Sequence, residues 1–346
     1  MSCSVSVSFS SFTHLSRSQP LTEQEIHGHR AHPLLSTSHA GELLGVHPST
    51  VKRWSDQGLL RVTRTRGGHR RFHLRDVLAG ARGQGIATSL DPFQPWESNV
   101  WLALRACREE GDFSVLISLA LSWLRQGDTD LLGRLFYEVG RTAEIPFPRF
   151  LDLGVRGFMV RVGEEWQEGR LQVGEEHMAT EVIQEAFIRL RLARESSFRP
   201  DTRAGETSPV AVVGSSEGDH HDLGAQAIRA ILERDGWRVY FLGANVPAED
   251  FARIQRAQVA ELVCISFHSG ATLPDLQRDL GTLRRNYSER TPYALAMGGA
   301  FQGVSAEELP GDGFRDFTLS GSAQEFHAWL QSRYSHNSTS LARRMA

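Results

Sequence analysis

The sequence predicts a multidomain protein of the α and α/β classes, with a winged helix-turn-helix, a helical bundle and a Rossmann-like, doubly wound sheet in that order. Three observations support this prediction. Residues 33–84 carry nine Lys or Arg against three acidic residues. Apolar residues recur at helical spacing from Trp96 to about Ser196. After Pro209, short apolar runs alternate with helical patterns, as they do in parallel sheets.

Composition limits the class of protein. A chain of 346 residues with 40% hydrophobic and 23% charged residues is expected to fold into two or three domains. No apolar run has the length of a membrane span, and the first residues lack the pattern of a signal peptide, so we expect a cytoplasmic protein without a membrane partner. The spacing of Cys3, Cys107 and Cys264 indicates neither a disulfide framework nor a zinc site.

Composition and breaker residues divide the chain into segments. We predict a disordered leader at 1–33, a winged-helix DNA-binding domain at 34–83, a linker at 84–95, a helical bundle at 96–197, a second linker at 198–208, an α/β domain at 209–334 and a flexible tail at 335–346.

The basic segment has the elements of a helix-turn-helix with a wing. Ser36 is a predicted N-cap for a helix that ends at Leu44 before Gly45, and a helix begins at Pro48 and ends near Gly58. Residues 59–65 and 69–73 then predict a two-stranded hairpin around a Gly-Gly turn.

The polar start of the second helix is placed to read base edges, and the basic residues of helix and wing to neutralise phosphates. The predicted DNA contacts are Ser49, Thr50, Lys52, Arg53, Arg64, Arg66, His69, Arg70 and Arg71. We predict that Val51, Trp54 and Phe72 form the core of this small module. Residues 36–82 closely resemble the winged-helix domain of MerR-type transcription regulators, which implies double-stranded promoter DNA as a partner.

A second motif, Gly-Asp-His-His-Asp-Leu-Gly, occupies residues 218–224 between an apolar strand and a helix. A histidine at the carboxyl end of a parallel strand lies where α/β domains bind ligands, and imidazole is a good metal ligand. An aspartate two residues earlier can fix the ring, and glycines give close approach. The predicted cofactor-binding residues of this domain are Asp219, His221, Gly224, Ser266, Gly298 and Gly299.

From about residue 209 to 333 the chain resembles the base-off, His-on cobalamin domain of methionine synthase, corrinoid methyltransferase subunits and corrinoid mutases. The resemblance implies that His221 is the lower cobalt ligand. The adjacent His220 could compete, but the register of the motif selects His221. Many family members have Ser-x-Leu where this chain has Ser266-Phe267-His268. This departure concerns the fit around the nucleotide tail.

A third pattern lies in the bundle, where Trp166 is followed after nine residues by Glu176-His177. The pattern resembles that of the CarH/LitR family of light-sensing MerR-type repressors. The resemblance implies adenosylcobalamin as cofactor, with Trp166 against the adenosyl group and Glu176 and His177 shaping the pocket above cobalt. In well-known members a second histidine follows this tryptophan, whereas this chain has Gln167, and an amide is a poorer cobalt ligand than imidazole.

These resemblances imply a repressor that binds DNA as an adenosylcobalamin-loaded oligomer, a tetramer, in the dark and releases it in light. Carotenoid or photoprotection genes would be its targets. One alternative is a light-independent, cobalamin-sensing MerR-type regulator. Others are the corrinoid protein of a methyltransferase or mutase and a MerR-type activator without a ligand. No acid/base pair or activated nucleophile emerges from the sequence, so we predict no enzymatic turnover.

Overall fold

The structure is a computed structural model that describes residues 33–197, 208–299, 304, 306–309 and 311–334. Nearly all of the predicted leader, most of the second linker and the tail lie outside the described residues. The chain divides into two compact units. The helical unit contains the described residues up to Ile145 together with Gly157–Val182, and the sheet unit contains Pro146–Arg156 and the described residues from Ile183 onward. No helix among the described residues is long and apolar enough to cross a membrane.

The helix-turn-helix forms as the sequence predicts. Helix α1 spans Thr37–Leu44, and helix α2 spans Pro48–Asp56. The Ser36 hydroxyl accepts a hydrogen bond from the backbone N–H of His39 at 3.1 Å, which caps α1. Gly45 ends α1 with a φ of 64°, a left-handed conformation that favours glycine.

The wing differs from the prediction at its first strand. Strand β2 covers only Thr63–Arg64, and β3 covers Arg70–His73. The backbone N–H groups of Leu59 and Leu60 both donate to the carbonyl of Trp54, at 2.9 and 3.3 Å, and so extend the turn that ends α2. The predicted strand at 59–65 is therefore wrong over most of its length. A two-residue strand that the sequence did not indicate, β1 at Leu34–Leu35, completes a sheet of order β1-β3-β2.

The hydrophobic core of this module contains two of the three residues predicted for it. Val51 and Phe72 are completely buried, whereas Trp54 is half-buried. Helix α3, Leu74–Gly83, follows β3 and buries Val77 and Leu78. The predicted linker at 84–95 is packed rather than extended.

Within that linker, Leu90 and Phe93 are buried, and the Phe93 ring stacks on Trp123 with their centroids 6.2 Å apart. The remaining helices of the described chain before the second linker were expected from the apolar periodicity. Those of at least nine residues are α4 at Glu97–Arg105, α5 at Ser114–Gln126, α6 at Thr129–Arg141, α7 at Gly157–Gln167 and α8 at Val173–Ser197, and a single helical turn at Phe147–Arg149 lies between α6 and α7. Two π-helical segments, Ala106–Glu110 and Phe150–Arg156, follow α4 and precede α7.

The sheet unit contains a parallel sheet of five strands in the order β5-β4-β6-β7-β8. The strands are β4 at Val210–Ser216, β5 at Arg238–Val246, β6 at Leu262–Phe267, β7 at Ala294–Gly299 and β8 at Asp316–Ser320. Between them run α9 at Leu223–Arg234, α10 at Ala248–Gln258 and α11 at Leu273–Arg285, and α12 follows at Ala323–Tyr334. Val212, Val263 and Leu295 on the central strands have no exposed surface.

The sequence predicts four of these five strands and does not indicate β8. The residues of β8, Asp-Phe-Thr-Leu-Ser, alternate in polarity, and the strand lies at the edge of the sheet with most residues half-buried. Continuous apolar runs indicate strands that are buried on both faces, and an edge strand does not need such a run. The doubly wound architecture predicted from the other four strands is confirmed.

Candidate functional site

The strand order fixes where a ligand can bind in the sheet unit. The chain turns to opposite sides of β4, the first strand of this sheet along the chain, so the switch point lies between β4 and β6. Ligands of open α/β sheets bind at the carboxyl edge at this point. The segment 217–222, here called the histidine loop, joins the end of β4 to α9 at this edge. Ser266 pairs in register with Ser215 of β4 and with Gly298 of β7. The structure thus brings the predicted residues of three strands to one edge.

Asp219 organises the histidine loop from within. Its side chain is only 2% exposed, and Oδ1 accepts a hydrogen bond from the backbone N–H of His221 at 2.9 Å. Its own backbone N–H donates to the carbonyl of Ser216 at 3.1 Å, and its carbonyl accepts from the N–H of Asn245 at 2.8 Å. Because Asp219 is buried and has several hydrogen-bond partners, its position is fixed. The position of Asp219 in turn sets the backbone geometry of His221.

The imidazole of His221 projects from this loop and is 71% exposed. Its Nδ1 lies 3.4 Å from Oδ1 of Asp219, which orients Nε2 on the opposite side of the ring from the carboxylate. The backbone carbonyl of His221 accepts a hydrogen bond from the Ser215 hydroxyl at 3.0 Å. An imidazole whose inner nitrogen faces a buried carboxylate is the usual arrangement of a metal-bound histidine. The site therefore fits a cofactor whose metal takes one histidine.

The glycines beside the loop leave backbone exposed where side chains would otherwise stand. A Cβ on Gly224 would lie 2.5 Å from the hydroxyl oxygen of Ser266, so any side chain at this position would require Ser266 or helix α9 to shift. A Cβ on Gly298 would lie 3.0 Å from the carbonyl oxygen of Ser320. Together with Gly299, these residues form a side-chain-free edge that suits a large cofactor lying against the sheet.

Two further residues position the loop and were not predicted from the sequence. Asn245, at a left-handed φ of 56°, accepts a hydrogen bond on Oδ1 from the N–H of Gly218 at 2.8 Å. Asp222 accepts hydrogen bonds from the amide groups of Gln184 and Gln226 at 3.0 and 2.9 Å. The only sequence signal for Asn245 is an Asn two places before Pro247 at the end of a strand, and asparagine tolerates the left-handed region.

The Trp166 motif lies in the helical unit, in residues 165–177, here called the cap segment. Trp166 is half-buried and is the penultimate residue of α7, and the exposed Gln167 is the last. Glu176 lies in the first turn of α8, where negative charge is favourable. His177 is 74% exposed, with Nε2 3.4 Å from Oε2 of Glu176. The structure thus brings Glu176 and His177 together.

A buried carboxylate next to Trp166 was not anticipated. Glu165, 3% exposed, accepts hydrogen bonds from Arg125 of α5 at 2.6 Å and from Arg170 at 2.9 Å, and Arg161 lies 3.6 Å away. Burial alone would raise the pKa of Glu165, but the hydrogen bonds from Arg170 and Arg125 outweigh it and lower the pKa to about 2. This cluster ties the end of α7, and with it Trp166, to α5.

Most of the predicted DNA contacts are accessible. The exposed residues among them are Ser49, Lys52, Arg53, Arg64, Arg66 and His69, and Thr50 and Arg71 are half-buried. Arg70 differs, because its guanidinium contacts Asp56 of α2 at 2.5 Å and its side chain is 20% exposed. Arg70 therefore joins the wing to α2. His47 caps α2, because its Nδ1 accepts a hydrogen bond from the backbone N–H of Ser49 at 3.3 Å. The sequence indicates Pro48 as the start of this helix but does not indicate the cap.

Family models match three parts of the chain. A helix-turn-helix domain matches residues 34–84, and two B12 binding domain models match residues 120–191 and 209–318. The last match contains the histidine loop, and the preceding one contains the cap segment.

Similar proteins fall into two groups. Dimethylamine corrinoid protein 3 of Methanosarcina acetivorans is 28% identical over 160 residues, 46% of this chain and 71% of the relative. The HTH-type transcriptional repressor CarH of Myxococcus xanthus is 25% identical over 273 residues, 75% of this chain and 87% of the relative. The repressor CarA of that organism is 26% identical over 229 residues, 65% and 73% of the two chains. The chain is thus similar over most of its length to the CarH and CarA repressors, and it joins a region that matches a helix-turn-helix domain to two regions that match B12 binding domains.

Proposed function

We propose that the protein is a cytoplasmic, light-responsive repressor that uses adenosylcobalamin as its cofactor. It binds promoter DNA as a loaded oligomer, a tetramer, in the dark and releases it after illumination, and it has no enzymatic turnover. The observation that carries the proposal is the buried Asp219 carboxylate 3.4 Å from Nδ1 of the exposed His221, at the switch point of the sheet. This geometry supports a cofactor held by one histidine.

In this proposal His221 would hold cobalt through Nε2, and Asp219 would orient the ring and increase its basicity. The glycines Gly224, Gly298 and Gly299, with Ser266, line the edge along which the nucleotide tail lies. The bound cofactor would supply a cobalt–carbon bond that absorbed visible light breaks.

The cap segment supplies the contacts to the adenosyl group. Trp166 packs on that group, while Glu176 and His177 shape the pocket around it. The half-buried indole and the Glu176–His177 pair support these roles, since an aromatic surface and exposed hydrogen-bonding groups suit an adenosine. Trp166 would make this contact only with the adenosyl form of the cofactor, so only that form would favour the assembled state.

At the other end of the chain, Ser49 and Thr50 read base edges, and Lys52 and Arg53 contact phosphates. Arg64, Arg66, His69 and Arg71 supply further contacts from the wing, and Arg70 acts by fixing the wing to α2 through Asp56. A tetramer presents several such domains, so its disassembly weakens DNA binding through the loss of multivalency. We propose carotenoid or photoprotection genes as targets.

The test is to load the purified full-length protein with adenosylcobalamin in darkness and then to follow absorbance, oligomer size and promoter binding before and after green light. We expect a larger species that binds DNA in the dark and a smaller one that releases DNA after light. Unchanged size and DNA binding after photolysis would refute the light response, and the absence of bound corrinoid would refute the cofactor.

Two neighbouring histidines provide the matched variants. His221→Ala should shift the absorbance spectrum of the bound cofactor to that of a form without a histidine ligand, while His220→Ala should leave the spectrum unchanged. If only His220→Ala changes the spectrum, His220 and not His221 is the lower cobalt ligand.

A regulator that senses cobalamin without light is the second candidate. The exposed Gln167 at the end of α7 favours it, because the amide offers cobalt a poor upper ligand after photolysis. For this candidate, adenosylcobalamin and hydroxocobalamin should support promoter binding equally in darkness.

A further inference from the structure

The sheet unit contains a cleft of about 410 Å³ that the proposed function does not use. It lies between the end of α9, the first half of α12 and the Pro146–Arg149 turn, and its walls include Phe147, Ile231 and His327. Helix α9 begins next to the histidine loop and rises by about 1.5 Å per residue, so Arg234 at its other end is roughly 16 Å from that loop. The cleft is therefore separate from the proposed cobalamin site.

One wall of the cleft combines an apolar surface with an oriented cation. The Cζ atom of Arg234 lies 4.6 Å from the centroid of the Phe147 ring, a cation–π contact that holds the guanidinium plane in place. Ile231 is buried one helical turn earlier. The guanidinium group is planar, and its contact with the aromatic ring fixes the orientation of that plane, in which paired N–H groups can donate to the two oxygens of a carboxylate or phosphate.

Two further arginines lie on this wall or close to it. Arg149 is a second guanidinium in the lining, and Arg194 of α8 is close enough for its charge to act on Arg234. Partial burial lowers the pKa of Arg234, and the charge of Arg194 lowers it further. Arg234 is therefore partly desolvated and close to another cation, a setting in which a counter-charge stabilises it.

The acidic residues close to this wall have contacts of their own. Asp235 Oδ2 lies 3.1 Å from Nε2 of His327 and 2.9 Å from the amide nitrogen of Gln331. Glu233, which also acts on Arg194, accepts a hydrogen bond from Arg229 at 2.7 Å. Both carboxylates are thus shared with other groups, and an anion bound in the cleft would add negative charge next to Arg234 and Arg149.

We infer that this cleft binds a small organic anion, with an apolar body against Phe147 and Ile231 and a carboxylate or phosphate group on Arg234 and Arg149. His327, oriented by Asp235, lines the same cleft. The volume lies within the range of about 300–1,000 Å³ that is common for small-molecule sites. A ligand that binds only the folded protein also stabilises it.

The test uses benzoate and phenyl phosphate as probes and benzamide as the uncharged control, with calorimetric titration of the full-length protein. We expect saturable binding of at least one anion and none of benzamide. The affinities of benzoate and phenyl phosphate show whether the cleft prefers a carboxylate or a phosphate. Comparison of phenyl phosphate with inorganic phosphate shows whether the apolar ring contributes to binding. Arg234→Gln and Arg149→Gln should each weaken binding about tenfold, the effect of losing one charge-assisted hydrogen bond.

Arg229→Gln is the matched control, because Arg229 lies on the same helix but pairs with Glu233 and does not line the cleft. Its affinity for the probe should equal that of the wild type. The inference fails if neither organic anion saturates, if benzamide binds equally well, or if Arg229→Gln weakens binding as much as Arg149→Gln. Circular dichroism checks folding, and if Arg234→Gln unfolds the protein, Arg149→Gln and His327→Gln decide the outcome. None of these results depends on bound cobalamin.

Discussion

Two exposed histidines, His221 in the sheet unit and His177 in the helical unit, are held in different ways. The imidazole of His221 lies next to the Asp219 carboxylate, which is 2% exposed and also accepts a hydrogen bond from the backbone N–H of His221. His177 contacts Glu176, whose side chain is 31% exposed and also accepts a hydrogen bond from Thr180 at 3.3 Å. Solvent screens the second pair far more than the first.

This difference matches the separate roles that we propose for the two regions. A permanent metal ligand benefits from one fixed orientation, which the buried Asp219 provides. A group that responds to the loss of the adenosyl ligand needs freedom to move, and the Glu176–His177 pair is weakly held. The rigidity of the cap segment comes instead from Glu165, one residue before Trp166.

The largest expected effect is on the stability of the helical unit. Glu165→Ala removes the buried carboxylate that accepts from the partly exposed Arg125 and Arg170, and it should lower the free energy of unfolding by about 3 kcal/mol, the upper end for hydrogen bonds to a charged group. Glu164→Ala is the control, since Glu164 is 38% exposed and its loss should cost less than about 1 kcal/mol. Urea denaturation measures both, and equal losses would contradict a special role for Glu165.

The effect of Glu165 also depends on pH. The folded protein lowers the pKa of this group from 4.5 to about 2, so the ionised carboxylate stabilises the fold at every pH above its unfolded value. As the pH falls from about 4.5 towards 2, this contribution is lost. The stability difference between the wild type and Glu165→Gln should therefore stay constant above about pH 5 and decrease below it. A difference that increases on acidification would contradict the assignment.

The contrast between the two regions also explains which parts of the site were predictable. Asp219 and His221 lie two residues apart, so the sequence contains the whole interaction. Arg125 and Glu165 are 40 residues apart, and Gly218 and Asn245 are 27 apart, so only the folded chain brings them together. The same holds for the fold. Four sheet strands have continuous apolar runs, whereas the edge strand β8 and the two-residue β1 depend on pairing.

The next largest effect is on cofactor affinity in the sheet unit. Asp219→Ala removes the carboxylate beside the imidazole of His221 and should weaken adenosylcobalamin binding by about 10–100-fold. Glu176→Ala in the cap segment should weaken binding much less, because that pair is screened by solvent. Absorbance titration in darkness measures both affinities. If Glu176→Ala weakened binding as much as Asp219→Ala, the proposed difference between His221, which a buried carboxylate holds in place, and His177, which contacts an exposed one, would be wrong.

A smaller effect is expected from the close approach of α9 to β6. Gly224→Ala places a Cβ 2.5 Å from the Ser266 hydroxyl oxygen, and the strain of about 1.4 kcal/mol should weaken cofactor binding about tenfold. Ser266→Ala removes that oxygen and leaves a contact of 3.6 Å to its Cβ, so adding Gly224→Ala to Ser266→Ala should cost little further affinity. If Gly224→Ala weakens binding tenfold in the Ser266→Ala background as well, the effect of Gly224 does not come from the close contact with the Ser266 hydroxyl.

The smallest effect in darkness, and the one that tests the cap segment most directly, is expected from Gln167→His. Gln167 is exposed at the end of α7, so the substitution should leave stability and dark affinity for adenosylcobalamin nearly unchanged. After illumination the new imidazole offers cobalt a better upper ligand than the amide does. The illuminated variant should therefore show the absorbance of a bis-histidine cobalamin and retain the corrinoid through gel filtration, whereas the wild type should do so less completely.

Gln172→His, at an exposed glutamine between α7 and α8, is the control for this variant. A different result is also informative. If the wild type already gives the bis-histidine spectrum and His177→Ala abolishes it, His177 supplies the upper cobalt ligand after illumination.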